Sequence, residues 1–242
     1  MSIFKKKNED EAWLSVSDLM AGLMMVFLFI SIIYSRDVAK RERNVTEVVY
    51  EWQQNEAQIL AALIKEFEKD LVKWNAEIEK KNLTIRFKSP EVLFEQGKSD
   101  IKENFKEILN DFMPRFLLLL NTEFKDNIAE VRIEGHTSSE WPGKDGKEAF
   151  IENMKLSQAR TRTVMNYTLR MPELNRISGW MTKTISANGL SSSKLIPMSE
   201  EGPFIENKEA SRRVDFAVRT KTKEALFNIL EKLSGGEIYQ DF

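Results

Sequence analysis

The architecture of this chain is decided by residues 12–34, AWLSVSDLMAGLMMVFLFISIIY, which contain a single ionisable side chain, Asp18. As a helix, the stretch from Trp13 to Tyr34 would be roughly 31 Å long at ~1.5 Å per residue, close to the ~30 Å hydrocarbon thickness of a bilayer. Aromatic residues at its two ends are typical of interfacial anchors. The stretch therefore predicts one membrane-spanning helix.

A cleaved signal peptide is the alternative, because Lys5 to Lys7 precede the apolar run. The run is long for a signal peptide, and Ser31-Ile-Ile-Tyr-Ser-Arg36 offers no small-residue cleavage site. We therefore expect an uncleaved anchor. Basic residues flank both ends, so their count does not orient the helix. A short tail is easily retained and a long one can be exported, so we expect a cytoplasmic N-terminus with the bulk of the chain in the periplasm.

Asp18 is the residue of this segment that carries chemistry. A carboxylate about five residues inside a span is costly unless it faces a partner helix or a water-filled cavity, and such acids are typical of ion and proton pathways. The alternative is that Ser17-Asp18 caps the helix at the interface. That would leave only Asp18 to Tyr34, roughly 24 Å, which is too short for the hydrocarbon core. We therefore predict that Asp18 carries an ion.

The composition of the 242 residues excludes several classes of function. Lys and Arg number 36 against 38 Asp and Glu, and this balance lacks the basic footprint of nucleic-acid-binding proteins. The absence of cysteine excludes thiol catalysis, and a single histidine leaves little scope for zinc or triad chemistry. The sequence shows neither a nucleophile with its base nor a phosphate loop. We predict a non-enzymatic protein with no cofactor, no metal site and no nucleic-acid partner.

Residues 45–78 contain no proline or glycine and are rich in Glu, Lys, Gln, Ala and Leu, which predicts a helical connector. Residues 36–44 before it are a candidate hinge beside the membrane. The apolar residues of the connector follow a heptad spacing, which fits a self-associating stalk and equally an amphipathic helix that packs on the next domain. These residues are Leu60, Ile64, Phe67, Leu71, Trp74 and Ile78.

The C-terminal part alternates between strand and helix patterns, which predicts an α/β (α+β) sandwich with one sheet covered by helices. Arg212 and Arg213, at the start of the last strand, are interpreted as a structural pair. The predicted strands are 83–87, 91–97 (a fragment), 128–134, 182–188 and 213–219, and the helices run from Ser99 or Asp100 to Leu120 and from 148 to 169.

Five motifs in this part carry a resemblance to known proteins. They are VLFEQG at 92–97, IEGHT at 133–137, NMKLSQAR at 153–160, SANG at 186–189 and SRRVD at 211–215. In this order they resemble the OmpA-like peptidoglycan-binding domain. That domain behind one span with an early Asp resembles MotB, the ion-motive stator subunit of flagellar motors. The span itself resembles still more the MotB-like ZorB family of the Zorya anti-phage defence system.

The resemblance implies recognition of a diaminopimelate-bearing stem peptide of peptidoglycan. Arg160 matches the family's ligand-binding arginine, and a fixed guanidinium suits the free carboxylate of that ligand. Asn153 and Leu156 match the same helical motif. Thr137 and Ser138 match the loop that follows the IEGHT strand.

The chain departs from the family pattern at Ser138, where the family usually has an Asp that contacts the ligand amine. Glu140 or Asp145, in the long loop from Ser138 to Lys147, could substitute for it. The dipeptide Trp141-Pro142 in this loop has two equal interpretations, a loop anchor and a sugar-stacking platform.

The resemblance also implies partners. In the family, five multi-span MotA-like subunits surround two B subunits, so we expect a dimer of this chain inside such a ring, a grip on peptidoglycan, and cytoplasmic defence effectors acting indirectly.

MotB proteins usually have a Tyr-Ala-Asp-type sequence before the span and a plug-like segment after it; here Val16-Ser-Asp18 and the helical connector replace them. A flagellar-type MotB stator subunit and a passive OmpA-like cell-wall tether are the alternatives, and proton and sodium both remain open.

The predicted layout has five segments. A cytoplasmic tail occupies residues 1–11, and the transmembrane helix occupies 12–35. The helical connector spans 36–80. The OmpA-like domain spans 81–220, and a helical tail follows at 221–242.

Overall fold

The computed structural model describes residues 3–88, 93–95, 97–199 and 201–221. These residues form two compact units, which divide between Glu51 and Trp52. Most of the predicted C-terminal tail, and residues 91, 92 and 96 of the predicted strand fragment, lie outside the described residues.

The first helix, α1, runs from Ile3 to Leu71. It includes the predicted span, and residues 36–44 are helical instead of forming the predicted hinge. The prediction that the helix continues to Ile78 is wrong, because Asn75 takes a left-handed conformation with φ of 50°. Asn tolerates this conformation better than most residues, so the chain turns here and enters a strand.

The second unit contains one mixed five-stranded sheet and its helices. After α1, its elements in chain order are β1 (Ala76–Glu79), β2 (Thr84–Lys88), α2 (Glu103–Phe124), β3 (Ile128–His136), α3 (Gly146–Leu169), α4 (Ser178–Thr184), β4 (Ile185–Gly189), α5 (Lys208–Ser211) and β5 (Arg213–Thr220). Short 3₁₀ turns occupy Lys80–Asn82 and Pro172–Ile177. The strand order is β1-β2-β5-β3-β4, with β3 and β4 parallel and the other neighbours antiparallel. The predicted fold class is confirmed.

The core of this unit lies between the sheet and α2, and aromatic side chains fill much of it. Phe112 of α2 is fully buried and lies 5.2 Å from Phe87 of β2 and 5.1 Å from Phe216 of β5, measured between ring centroids. Strand alternation places Phe216 on the same face as Val214 and Val218, as the sequence predicts.

The last turns of α1 belong to this core. Ile59, Leu63 and Phe67 are fully buried, and the Phe67 ring lies 5.3 Å from that of Phe112. Arg115 of α2 fastens this segment, because its guanidinium pairs with Glu66 at 2.7 Å and with Asp70 at 2.9 Å. Of the two interpretations of the connector, packing on the following domain therefore describes this segment. The core of the second unit includes buried residues from Ile59 onward.

Two glycines set the distance between α3 and the sheet. A Cβ on Gly135 of β3 would lie 2.7 Å from the Thr161 side chain, and one on Gly189 of β4 would lie 2.3 Å from the backbone nitrogen of Gln158. Only a residue without a side chain permits this close approach. The glycines of the IEGHT and SANG motifs therefore hold α3 against the ends of β3 and β4.

Candidate functional site

A cavity of about 1240 Å³ opens where β3 ends beside α3. Its walls come from the loop after β3, from one face of α3, and from the segment around Gly97. All five residues predicted for the wall-binding site line it, and they are Thr137, Ser138, Asn153, Leu156 and Arg160. The structure therefore brings together residues that are separated in the sequence.

Arg160 lies at the inner wall of this cavity and is only 8% exposed. Its Nε donates to the carbonyl oxygen of Lys98 at 2.9 Å, and its Nη2 donates to that of Glu95 at 3.3 Å. The guanidinium also lies over the Phe94 ring, 4.9 Å from the centroid. These contacts fix the plane of the group, as a bidentate interaction with a carboxylate requires.

The charge of Arg160 is not compensated by its own chain. Burial and, secondarily, the charge of Arg212 lower the pKa of Arg160 to about 10, so the group remains protonated at neutral pH. Within the described residues, Arg160 forms no ion pair with a carboxylate. A buried, fixed and uncompensated guanidinium strongly favours an anionic ligand.

Asn153, about two turns before Arg160 on α3, supports one side of the cavity. Its Nδ2 donates to the carbonyl oxygens of Ser138 and Glu140, both at 3.1 Å. Both amide hydrogens therefore hold the loop after β3 in place. In this arrangement Asn153 positions the loop rather than presenting a donor to a ligand.

Thr137 offers a further polar group at the cavity. The backbone N–H of Thr137 donates to the carbonyl oxygen of Ser191 at 2.9 Å. Its Oγ1 is buried and makes no hydrogen bond with the described part of the chain. An unsatisfied buried hydroxyl is costly. Because less than 1 Å² of this oxygen is exposed, a molecule in the cavity could contact it only after a rotation of the side chain.

Glu140 and Asp145, the two candidates to replace the family's Asp at the Ser138 position, differ in their surroundings. Glu140 pairs with Lys208, whereas Asp145 forms no ion pair with any described residue. Asp145 lines the cavity immediately before α3, where it is exposed and its side chain makes no capping hydrogen bond. Asp145 is therefore the better candidate to receive a ligand amine.

Two residues that act on Arg160 have roles that the sequence does not predict. Arg212, interpreted as a structural partner of Arg213, lines the cavity and influences Arg160, and Phe94 supports the guanidinium. Arg213 is structural, since its Nε donates to Asp215 at 3.1 Å. Arg213 is the first residue of β5 and Arg212 directly precedes that strand, and the sequence does not show where the strand begins.

A second polar cluster lies on the sheet face opposite the core. Glu134, His136 and Asp215 place possible metal-ligand atoms within 4.8 Å of one another. The neighbouring His136 ring, with the charges of Lys194 and Arg219, lowers the pKa of Glu134 to about 2, so this carboxylate stays ionised.

The charges around this cluster disfavour a metal ion. Each carboxylate already has basic partners, and a divalent cation would have to enter among their positive groups. These partners are Arg86 and Arg213, each 3.1 Å from Asp215, and Arg219 and Lys194, at 3.5 and 3.8 Å from Glu134. The cluster is best described as a buried ion-pair network.

The other predicted site residue, Asp18, lies in the first unit. One helix among the described residues is long and apolar enough to cross a membrane, and its apolar window has a mean hydropathy of 2.3 with no burial by the chain itself. Asp18 is on this helix, exposed, beside Leu19 and Met20, which are 74% and 62% exposed. The chain alone provides no cover for this carboxylate within the described residues.

Solved structures that are similar to the chain are distant from it in sequence. No profile of a known protein family matches the chain. Among solved structures, a MotB-like protein from Desulfovibrio vulgaris is 19% identical and covers 72% of this chain and 94% of its own, with a TM-score of 0.47. The cell wall anchor of the Pseudomonas aeruginosa T6SS is also 19% identical, covering 65% and 96%, with a TM-score of 0.44.

A sequence relative is much more similar. The Zorya protein ZorB of Escherichia coli strain Crooks is 43% identical over 229 residues, which cover 94% of this chain and 96% of that protein. An identity of this size over nearly the full length of both chains confirms the resemblance seen in the motifs. The chain belongs to the ZorB family.

Proposed function

We propose that this chain is the non-enzymatic B subunit of a proton-driven membrane motor of the Zorya anti-phage defence system. Membership of the ZorB family supports this proposal. The apolar helix with its single carboxylate supplies the ion-carrying element, and the second unit supplies the grip on the cell wall. In this topology the N-terminus is cytoplasmic and the second unit is periplasmic.

The observation that carries the proposal is the buried, fixed guanidinium of Arg160. A diaminopimelate residue in a stem peptide bears a free carboxylate and an ammonium group on the same centre. Arg160 would bind the carboxylate, and Asp145 on the cavity wall would receive the ammonium group. The family's Asp position, here Ser138, is thus replaced from elsewhere in the loop.

Asp18 would carry the proton through the membrane. One span cannot enclose an ion pathway, and a carboxylate surrounded by apolar side chains needs partner helices. We expect five MotA-like multi-span subunits around a dimer of this chain, with the two Asp18 side chains near the axis. Disturbance of the envelope by phage would then be passed to cytoplasmic effectors. A passive wall tether has no need of a membrane carboxylate, which disfavours that alternative.

The wall contact can be tested with the full-length protein in detergent and purified peptidoglycan. The wild type should sediment with peptidoglycan, whereas Arg160→Ala should remain in the supernatant although circular dichroism shows it to be folded. Arg162→Ala is the matched control, because Arg162 is exposed on the same helix and its loss removes the same charge. Equal sedimentation of all three proteins would overturn the proposed site.

A further inference from the structure

A second, smaller cavity adjoins the first one. It has a volume of about 400 Å³, within the range of about 300–1,000 Å³ that is typical of small-molecule sites. The two cavities share three lining residues, Gly97, Trp141 and Leu156. The second cavity is a shallow depression on the surface, and a ligand that extends out of the first cavity past Trp141 would lie along it.

Trp141 is held at this junction by a local turn. The backbone N–H of Lys144 donates to the carbonyl oxygen of Trp141 at 3.2 Å, Pro142 follows Trp141, and Gly143 has φ of +71°. Proline followed by glycine with positive φ, closed by this hydrogen bond, is the pattern of a type II turn. The sequence Trp-Pro-Gly-Lys thus encodes the position of the indole.

Contacts on both sides of the turn fasten it to α3. The Nζ of Lys144 pairs with Glu152 at 2.6 Å, and Asn153 holds the carbonyl oxygen of Glu140, just before the tryptophan. The Trp141 side chain nevertheless remains partly exposed. A residue that served only as a loop anchor would be expected to bury its ring, so this indole is a preorganised aromatic surface.

Apart from Ala159, the other lining residues of the second cavity have polar side chains. Ser99 and Asp100 offer a hydroxyl group and a carboxylate, whereas Glu152 and Lys155 pair with each other at 3.3 Å. Hydrogen-bonding groups around one exposed aromatic face suit a sugar ring, which has an apolar C–H face and a rim of hydroxyl and amide groups. A further stem peptide would favour an unpaired positive charge, whereas both lysines here, Lys98 and Lys155, already pair with carboxylates.

We propose that the second cavity is a subsite for an amino sugar of the glycan strand to which the bound stem peptide is attached, with Trp141 as the stacking surface. This inference rests on the proposed function, because it places the peptide in the first cavity. It assigns Trp141 to recognition of the sugar and Arg160 to recognition of the peptide.

The test is a calorimetric titration of the full-length protein in detergent with two ligands. One is the free tripeptide L-Ala-γ-D-Glu-meso-diaminopimelate, and the other is the same tripeptide on its N-acetylglucosaminyl-N-acetylmuramoyl disaccharide. We expect the wild type to bind the disaccharide form roughly two- to tenfold more tightly, the range of a stacking contact. Trp141→Ala should abolish this difference and leave the affinity for the free tripeptide within about twofold.

Two further variants separate the subsite from general effects. Asp100→Asn, which alters only the second cavity, should reduce the advantage of the disaccharide form without affecting the free tripeptide. Phe204→Ala is the control, because this exposed aromatic residue lines neither cavity. Equal wild-type affinities for the two ligands, or an equal loss for both in Trp141→Ala, would overturn the subsite. Failure of the wild type to bind either ligand would instead overturn the proposed function itself.

Discussion

Asp18 and Arg160 are two ionisable groups without a charged partner in the described chain, but they lie in very different surroundings. Arg160 is enclosed by its own domain, which supplies carbonyl oxygens and an aromatic ring, and lacks only a carboxylate. Asp18 is exposed on an apolar helix, and the chain supplies nothing around it. One site is complete except for its ligand, and the other is a fragment of a site.

The comparison shows which function can be studied with this chain alone. The cavity that Arg160 lines is formed by the loop after β3, by α3 and by the segment near Gly97, so its affinity for a ligand is a property of this chain alone. An ion pathway at Asp18 requires other helices, so its activity is a property of the assembled complex.

The largest effect is expected at Asp18. Asp18→Asn keeps the size of the side chain and removes the group that can carry a proton, so ion flux and protection from phage should be lost while membrane assembly is kept. Asp37→Asn is the control, because it removes an exposed carboxylate from the same helix outside the apolar segment. Phage-plating and proton-flux assays measure both, and protection retained by Asp18→Asn would contradict an ion-carrying role.

The next effect concerns the last turns of α1, which belong to the core of the second unit. Phe67→Ala removes a fully buried ring of the α1 segment that packs with Phe112, which should lower the free energy of unfolding of the second unit by about 3–5 kcal/mol. Glu68→Ala, at the next and exposed position, should change it by less than about 0.5 kcal/mol. Chemical denaturation of the full-length protein distinguishes the two. A Phe67→Ala protein that kept its stability but lost dimerisation would favour the stalk.

A smaller effect is expected at Arg160. Arg160→Ala should lose a charge-assisted contact of roughly 1.5–3 kcal/mol, a factor of about 10 to 150 in affinity for a stem peptide. Arg160→Lys should recover only part of this, because it keeps the charge but lacks the planar pair of donors. Calorimetry on the three proteins measures the series. Full rescue by lysine would mean that charge alone, without the fixed geometry, determines binding.

The smallest effect is expected at Asn153. Its amide holds the carbonyl oxygens of Ser138 and Glu140, so Asn153→Ala should loosen the loop and weaken peptide binding by about 0.5–1.5 kcal/mol. Because the effect acts through the loop, Asn153→Ala should also increase amide hydrogen exchange at residues 138–141. A loss of affinity with unchanged exchange would indicate a direct contact with the ligand instead.

The sequence predicts which residues line the cavity with Arg160 better than it predicts what each of them does. The ordered motifs identify Arg160 and Asn153, but the hydrogen bonds that make Asn153 a support for the loop depend on a contact between α3 and residues after β3. Phe94 and Arg212 lie inside the VLFEQG and SRRVD motifs, but only the tertiary structure shows that they line the cavity.

The connector shows the same limit at the level of the fold. Heptad spacing is common to a stalk and to a helix that packs on its own domain, so periodicity could not decide between them. The decision depends on the aromatic surface of α2, which Phe67 and Trp74 contact. The strand at Ala76–Glu79 was missed because its pairing with β2 lies beyond the local sequence.

The most direct test of the central claim, that Arg160 binds a carboxylate of the cell wall, changes both members of that pair. Full-length wild type and Arg160→Ala would each be titrated with a stem tripeptide whose diaminopimelate carboxylate is either free or amidated. The account predicts that amidation weakens binding to the wild type by about tenfold or more and changes binding to Arg160→Ala by less than about twofold. Equal losses in the two proteins would contradict it, because the carboxylate would then be recognised elsewhere.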